Sequence, residues 1–210
     1  TMFANQNMLD AAGVNIPTTF DELLTTGKKL KTGDVSGVAM RSKPDGSAGT
    51  WPAGGFVFSN GGVIMQDGKC MLDSAEAIEA VDYYGRILQE AGPLGVGNYH
   101  WYECLNDFMQ EATAIGLDSS NFSGDIENPE KSNAAGHTTY GAMVSGPGKQ
   151  AKPNMWHWLA GINSKSANKA AAFLFLTWSN SKPTALMSSA LGLATCRTSA
   201  WESDAFKTAF

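Results

Sequence analysis

Twice along this chain a helix signal runs straight into a short apolar strand signal. That alternation limits the fold to α/β or α+β, a sheet with helices packed on it. The first instance is the clearer one. Thr19-Phe20-Asp21-Glu22 is a capping box, in which Thr19 caps the Glu22 amide and Glu22 reaches back. Leu23, Leu24 and Leu30 follow on a compatible helical face, and Pro17 stands just ahead, where it interrupts nothing. A helix is predicted over 20–31; Gly33 and Gly37 close the unit, and Gly37-Val38-Ala39-Met40 reads as a strand. The second instance is a helix over 101–111, with Leu105, Phe108 and Met109 at i, i+3 and i+4, followed by the buried strand Ala112-Thr113-Ala114-Ile115-Gly116-Leu117.

Other elements fill in around these. The stretch 51–62 is apolar but glycine-laden, a short helix or irregular segment closed by Gly61-Gly62. Asp67-Gly68, flanked by Val63-Ile64-Met65 and Lys69-Cys70-Met71-Leu72, is a hairpin signal. Asp73 and Ser74 cap a helix whose Ile78, Val81, Ile87, Leu88 and Ala91 lie mostly on one stripe, and Gly92-Pro93 stops it. Residues 141–153 read as a linker-like loop and 155–162 as a strand. The helix over 166–179 carries Ala170-Ala171-Ala172-Phe173-Leu174-Phe175-Leu176, apolar nearly all round, which predicts burial on more than one side and a core position for Trp178. Pro183 starts a further helix to about Leu191, and Asp204-Ala205-Phe206 begins a last turn. There is no internal repeat.

Composition narrows the function classes. The 210 residues are 43% hydrophobic, enough to bury a core. The net charge of −5 argues against a nucleic-acid partner, which needs a basic stripe to neutralise phosphates. No apolar run is long enough to span a bilayer. The opening Thr1-Met2-Phe3-Ala4-Asn5 has neither the basic nor the apolar region of an export signal, so none is expected in this chain. Cys70, Cys104 and Cys196 form no C-x-x-C pair. In a cytosolic chain they read as small buried hydrophobes. In an exported one, Cys70 and Cys104 are the expected disulfide, closing a loop of roughly 35 residues and contributing about 3–4 kcal/mol before strain.

Catalytic and cofactor motifs are scarce. There is no G-x-S-x-G elbow. Gly146-Pro147-Gly148-Lys149-Gln150 lacks the first glycine of a phosphate loop, places Gln150 where Ser or Thr holds magnesium, and loses an amide at Pro147. His100, His137 and His157 show no metal-ligand spacing. Neither a metal nor a cofactor is expected. What remains is a binding constellation. Polyhydroxylated ligands need flat aromatic faces against their C–H patches and forked polar groups for their hydroxyls. Candidates are Trp51, the segment 118–122 after the buried strand with Asp118, Ser119 and Asn121, the triplet Trp156-His157-Trp158, and Arg197 near Trp201. Each has a bland alternative: a core tryptophan, an Asx-turn at Asp118, a surface ion pair at Arg197. On a strand, Trp156 and Trp158 share one side and His157 takes the other.

The order of these motifs resembles the sugar-type solute-binding proteins of bacterial ABC importers, the class that includes maltose-binding proteins. Asn5-Gln6-Asn7-Met8-Leu9-Asp10-Ala11-Ala12-Gly13 and Pro17-Thr18-Thr19-Phe20-Asp21-Glu22-Leu23 are similar to that family's "YNKDLFEEAG…P.TWDEL". The usual Tyr and Lys are missing, so an irregular first strand is expected. Phe58-Ser59-Asn60-Gly61-Gly62, Asp67-Gly68-Lys69 and Leu72-Asp73-Ser74-Ala75-Glu76-Ala77-Ile78-Glu79-Ala80 follow in the family's order. So do Phe108-Met109-Gln110-Glu111-Ala112-Thr113-Ala114, the stretch 156–178 and the stretch 192–201. Trp101-Tyr102-Glu103-Cys104, Asp118-Ser119 and Trp156-His157-Trp158 are closer to the polyol and small-sugar subgroup than to maltodextrin binders.

The resemblance implies an α/β, periplasmic-binding-protein-like fold of which this chain is mainly one lobe, with residues 1–154 as the second-lobe core, 155–182 returning to the first lobe and 183–210 coming back. It implies a non-catalytic receptor in the periplasm or anchored outside the cell. The receptor's partners would be a small sugar or polyol and an ABC permease in the membrane, with the first lobe or another chain completing the cleft. Trp51 and Trp156 would give the apolar faces; Asp118, Ser119, Asn121, His157 and Arg197 would meet hydroxyls, with Trp101 and Phe122 as further candidates. Without that first lobe, the strand and helix over 155–182 would dock elsewhere or leave apolar surface exposed. A glycoside-processing enzyme, which needs a carboxylate pair in one pocket, and an aromatic-rich protein-interaction module are the rival readings.

Overall fold

A computed structural model describes residues 1–46 and 48–209. The chain divides into two compact units, one of Thr1–Ser119 with Ile126–Asn154 and the other of Ser120–Asp125 with Met155–Phe210.

The first unit is built on a four-stranded sheet. Its elements in chain order are β1 (Met2–Asn5), α1 (Gln6–Ala12), α2 (Phe20–Leu30), β2 (Ser36–Ala39), α3 (Thr50–Ser59), β3 (Met65–Gln66), β4 (Lys69–Cys70), α4 (Ala75–Ala91), α5 (Trp101–Met109), β5 (Thr113–Leu117), α6 (Ser123–Ile126, at the boundary between the units) and β6 (Thr138–Gly141). The sheet order is β2-β5-β1-β6, with β2 parallel to β5 and β1 antiparallel to both its neighbours. β1 is a regular strand despite the missing family residues. Backbone ladders on both sides hold it, and they do not depend on which side chains it carries.

Alternation along β1 feeds two cores. Met2 and Ala4 join Leu9, Phe20, Leu23, Val38 and Phe56 in the main cluster under α2, α3 and α4. Phe3 turns the other way and meets Phe108 of α5 edge-on at 4.7 Å. Gly116 is required there, because a Cβ on it would stand 2.1 Å from the Phe3 ring. The capping box of α2 forms as its sequence predicts, with Thr19 Oγ1 accepting from Glu22 N at 3.2 Å and Glu22 Oε2 accepting from Thr18 N and Thr19 N. Hydrogen bonds to its charged form hold the Glu22 carboxyl below its usual pKa. Two features differ from the sequence reading. The buried stripe of α4 is Ala77, Ala80, Tyr84, Ile87, Leu88 and Ala91, while Ile78 and Val81 are exposed; the alanines face inward because α3 lies close, with Gly62 against Val57 and Ala77. The predicted disulfide does not form. Cys70 is exposed in the β3–β4 hairpin, Cys104 is buried in α5, and both are free thiols. Burial raises the Cys104 thiol pKa well above its usual range, which keeps it protonated and inert.

The second unit contains α7 (Lys169–Ser179), α8 (Lys182–Ala190), α9 (Thr198–Trp201) and α10 (Asp204–Ala209). Ser181 caps α8 by accepting from Thr184 N, with Pro183 in its first turn. Residues 155–163 are not a strand. A strand needs a ladder partner, and among the described residues none pairs with them. Nor is α7 buried: Phe173, Leu174, Phe175 and Trp178 are each about 60% exposed or more, so Trp178 is not a core residue.

Candidate ligand-binding site

Parallel pairing fixes the centre of the site. Ala39 of β2 stands opposite Gly116 of β5. Two residues on, past the carboxyl ends of both strands, the same register sets Arg41 beside Asp118. The crevice outside the carboxyl ends of parallel strands is where open α/β sheets take ligands.

Arg41 and Asp118 meet as a fork. Arg41 Nε donates to Asp118 Oδ2 at 2.6 Å, and Arg41 Nη2 donates to Oδ1 at 2.5 Å. Ser119 N donates to the same Oδ1 at 2.6 Å. The Asp118 side chain is 1% exposed and the Arg41 side chain 17%. The Tyr84 hydroxyl donates to the Arg41 carbonyl and braces the loop from below. Burial, with the nearby Cys104 and Asp118 adding to it, pushes the Tyr84 phenol pKa well up, so it stays a donor.

Trp51 completes the group from the first turn of α3. Its ring centroid lies 5.0 Å from the Arg41 guanidinium carbon, a cation–π stack. Asn154 Nδ2 donates to the Trp51 carbonyl and ties that turn to the end of the unit. Beside them lies an open concavity lined by Trp51, Pro52, Phe56, Asp118, Met143 and Asn154 among others. Its wall is mostly apolar.

The sequence-predicted residues are therefore placed as follows. Trp51 and Asp118 share this concavity, and Ser119 contributes its amide to the Asp118 carboxylate. In the second unit, Asn121 Oδ1 accepts from Ala194 N at 2.9 Å and anchors the 192–197 loop. Arg197 Nε and Nη2 donate to the Asn180 carbonyl at 2.9 and 2.8 Å, closing the carboxyl end of α7. Trp156 is exposed and meets Trp158 edge-on at 6.0 Å; His157 beside it is exposed as well. Trp101 packs edge-on against Tyr102 at 5.4 Å, and Phe122 is half-buried in a short helical turn. Sequence reasoning missed Arg41. A lone Arg after Val38-Ala39-Met40 looks like an ordinary loop residue until the β2–β5 register is known.

Residues 1–185 match the family model for bacterial extracellular solute-binding proteins, and the chain belongs to that family. Among curated proteins it is similar to the erythritol/L-threitol-binding protein of Mycolicibacterium smegmatis, 26% identical over 111 residues, which are 53% of this chain and 23% of that protein. Among solved structures it is similar to an ABC transporter solute-binding protein of Agrobacterium radiobacter in complex with ribitol (TM-score 0.90, 24% identity, 100% of this chain and 54% of that one). It is also similar to maltose-bound MalE3 of T. maritima (TM-score 0.91, 20% identity, 99% and 55%). The chain thus spans about half the length of these solved relatives and about a quarter of the curated one. The fold is the periplasmic-binding-protein-like one that the motif order implies.

Proposed function

We propose that this chain is the ligand-gripping half of a non-catalytic receptor. It captures a small neutral carbohydrate or polyol outside the cytoplasm and delivers it to an ABC permease. One observation carries this reading: Trp51, Arg41 and Asp118 converge beside an apolar concavity at the carboxyl ends of two parallel strands. Flat rings for C–H faces and fixed donors for hydroxyls are what such ligands require. The likeness to binders of erythritol and ribitol supports the polyol class. The exposed apolar side chains of α7 support a further element of the proposal, that the other half of a longer protein packs on this helix and completes the cleft.

An enzyme reading finds less support. Among the described residues lining the concavity Asp118 is the one carboxylate, and both of its oxygens are held by Arg41. Hydrolysis of a glycoside needs two carboxyl groups free to exchange protons or attack. Titration calorimetry on the protein carrying this sequence, at its natural length, tests the proposal with ribitol, D-mannitol, erythritol and maltose. Saturable binding of at least one alditol is expected, with no turnover of chromogenic glycosides. Silence with every compound would overturn the reading.

A further inference from the structure

The Arg41–Asp118 pair has a property that neither partner has alone. Asp118 is heavily engaged: Oδ1 accepts from Arg41 Nη2 and Ser119 N, and Oδ2 accepts from Arg41 Nε. A carboxylate this engaged and 1% exposed has little left to offer an incoming hydroxyl. Arg41 is different. Its Nε and Nη2 are spent on Asp118, its plane lies over Trp51, and among the described residues Nη1 has no acceptor. The Arg41 side chain keeps 17% of its surface exposed, next to Trp51 and Asp118, which line the concavity, while its guanidinium is held on one edge and one face.

We infer that Arg41 is a ligand-contacting donor and the specificity-determining group of this site, with Asp118 as the positioning residue that orients it and cancels its charge so that neutral polyols are taken in preference to anionic sugar acids or phosphates. The inference rests on the proposed function and deepens it. The two diverging N–H bonds of the remaining Nη1 can each meet a hydroxyl oxygen of a neutral polyol. Were the carboxylate absent, the same guanidinium would be an anion site, because Arg is the side chain of choice for carboxylate and phosphate. The buried Asp118 removes that preference at a distance of 2.5 Å. Trp51 gives one ring face to Arg41, so the apolar surface it offers a ligand is what remains beside the concavity.

The test is a competition between an alditol and the matching aldonate, ribitol and ribonate, measured by calorimetry on wild type, Arg41→Lys, Asp118→Asn and the paired change Arg41→Met with Asp118→Asn. Arg41→Lys keeps a cation for Asp118 but loses the planar fork. It is expected to weaken ribitol about 10- to 100-fold, the value of a hydrogen bond from a charged donor. Asp118→Asn is expected to improve the ribonate-to-ribitol affinity ratio about tenfold or more. The paired variant has no orphan charge, so its thermal midpoint and circular dichroism report whether the fold stands; with the fold intact, it is expected to lose ribitol without gaining ribonate. Wild-type ribitol affinity in Arg41→Lys, or an unchanged ratio in Asp118→Asn, would overturn this inference alone. A wild type that binds no polyol at all would instead remove the function on which it is built.

Discussion

Asp118 is costly to place and costly to disturb. A carboxylate 1% exposed is tolerated because three N–H groups meet it. Removing one partner of such a pair leaves a buried charge without compensation, and that outweighs whatever the pair contributes net. Arg41→Ala is therefore expected to destabilise the protein by about 3–5 kcal/mol. Arg41→Ala combined with Asp118→Ala should cost clearly less than the sum of the two single changes. Urea unfolding of the four members of that cycle measures the coupling.

Elements differ in how far their own residues determine them. α2 carries its start signal in four residues, and its stability has a pH signature. The folded pKa of Glu22 lies below the ordinary value of 4.5, so the folded state holds the carboxylate charged more readily than the unfolded chain does. The contribution is complete above about pH 4.5 and fades as pH falls through the lower, folded value. Thermal melts of wild type and Glu22→Gln should therefore differ at pH 7, with the difference shrinking as pH falls below about 4.5. That helix, the Asp67-Gly68 hairpin and the strand after α5 were all legible from local chemistry: caps, turn residues and apolar runs. Other features depend on partners and were not. The inward stripe of α4 is set by the closeness of α3, which exposes Ile78 and Val81. The stretch 155–163 has strand-forming residues and no ladder. Of the site, Trp51 and Asp118 were visible as residue types near turns, whereas Arg41 depends on a register between two strands that are far apart in sequence. Cysteine spacing could not show that Cys70 and Cys104 sit in elements with opposite exposure.

At the scale of the whole molecule, the contrast between a well-filled sheet core and the bare side chains of α7 stands out. Phe173, Leu174, Phe175 and Trp178 leave more apolar surface open than a surface helix normally does. The 210-residue chain alone is therefore expected to bind a hydrophobic dye and to self-associate in sedimentation. Phe175→Lys with Trp178→Ser should suppress both while leaving the urea midpoint unchanged, because neither side chain is buried here. Phe108→Ala, by contrast, removes a fully buried ring and should cost about 3–5 kcal/mol in the same unfolding measurement.

The placement of β1 has a temporal consequence. Met2 pairs with Leu117 on one side and Gly141 on the other. β1 must remain unzipped until both of its neighbours, which lie far along the chain, have been made. Chain closure over such separations is slow, and the waiting strand is a target for mispairing. This sheet therefore closes late in synthesis, once residues 138–141 have been added.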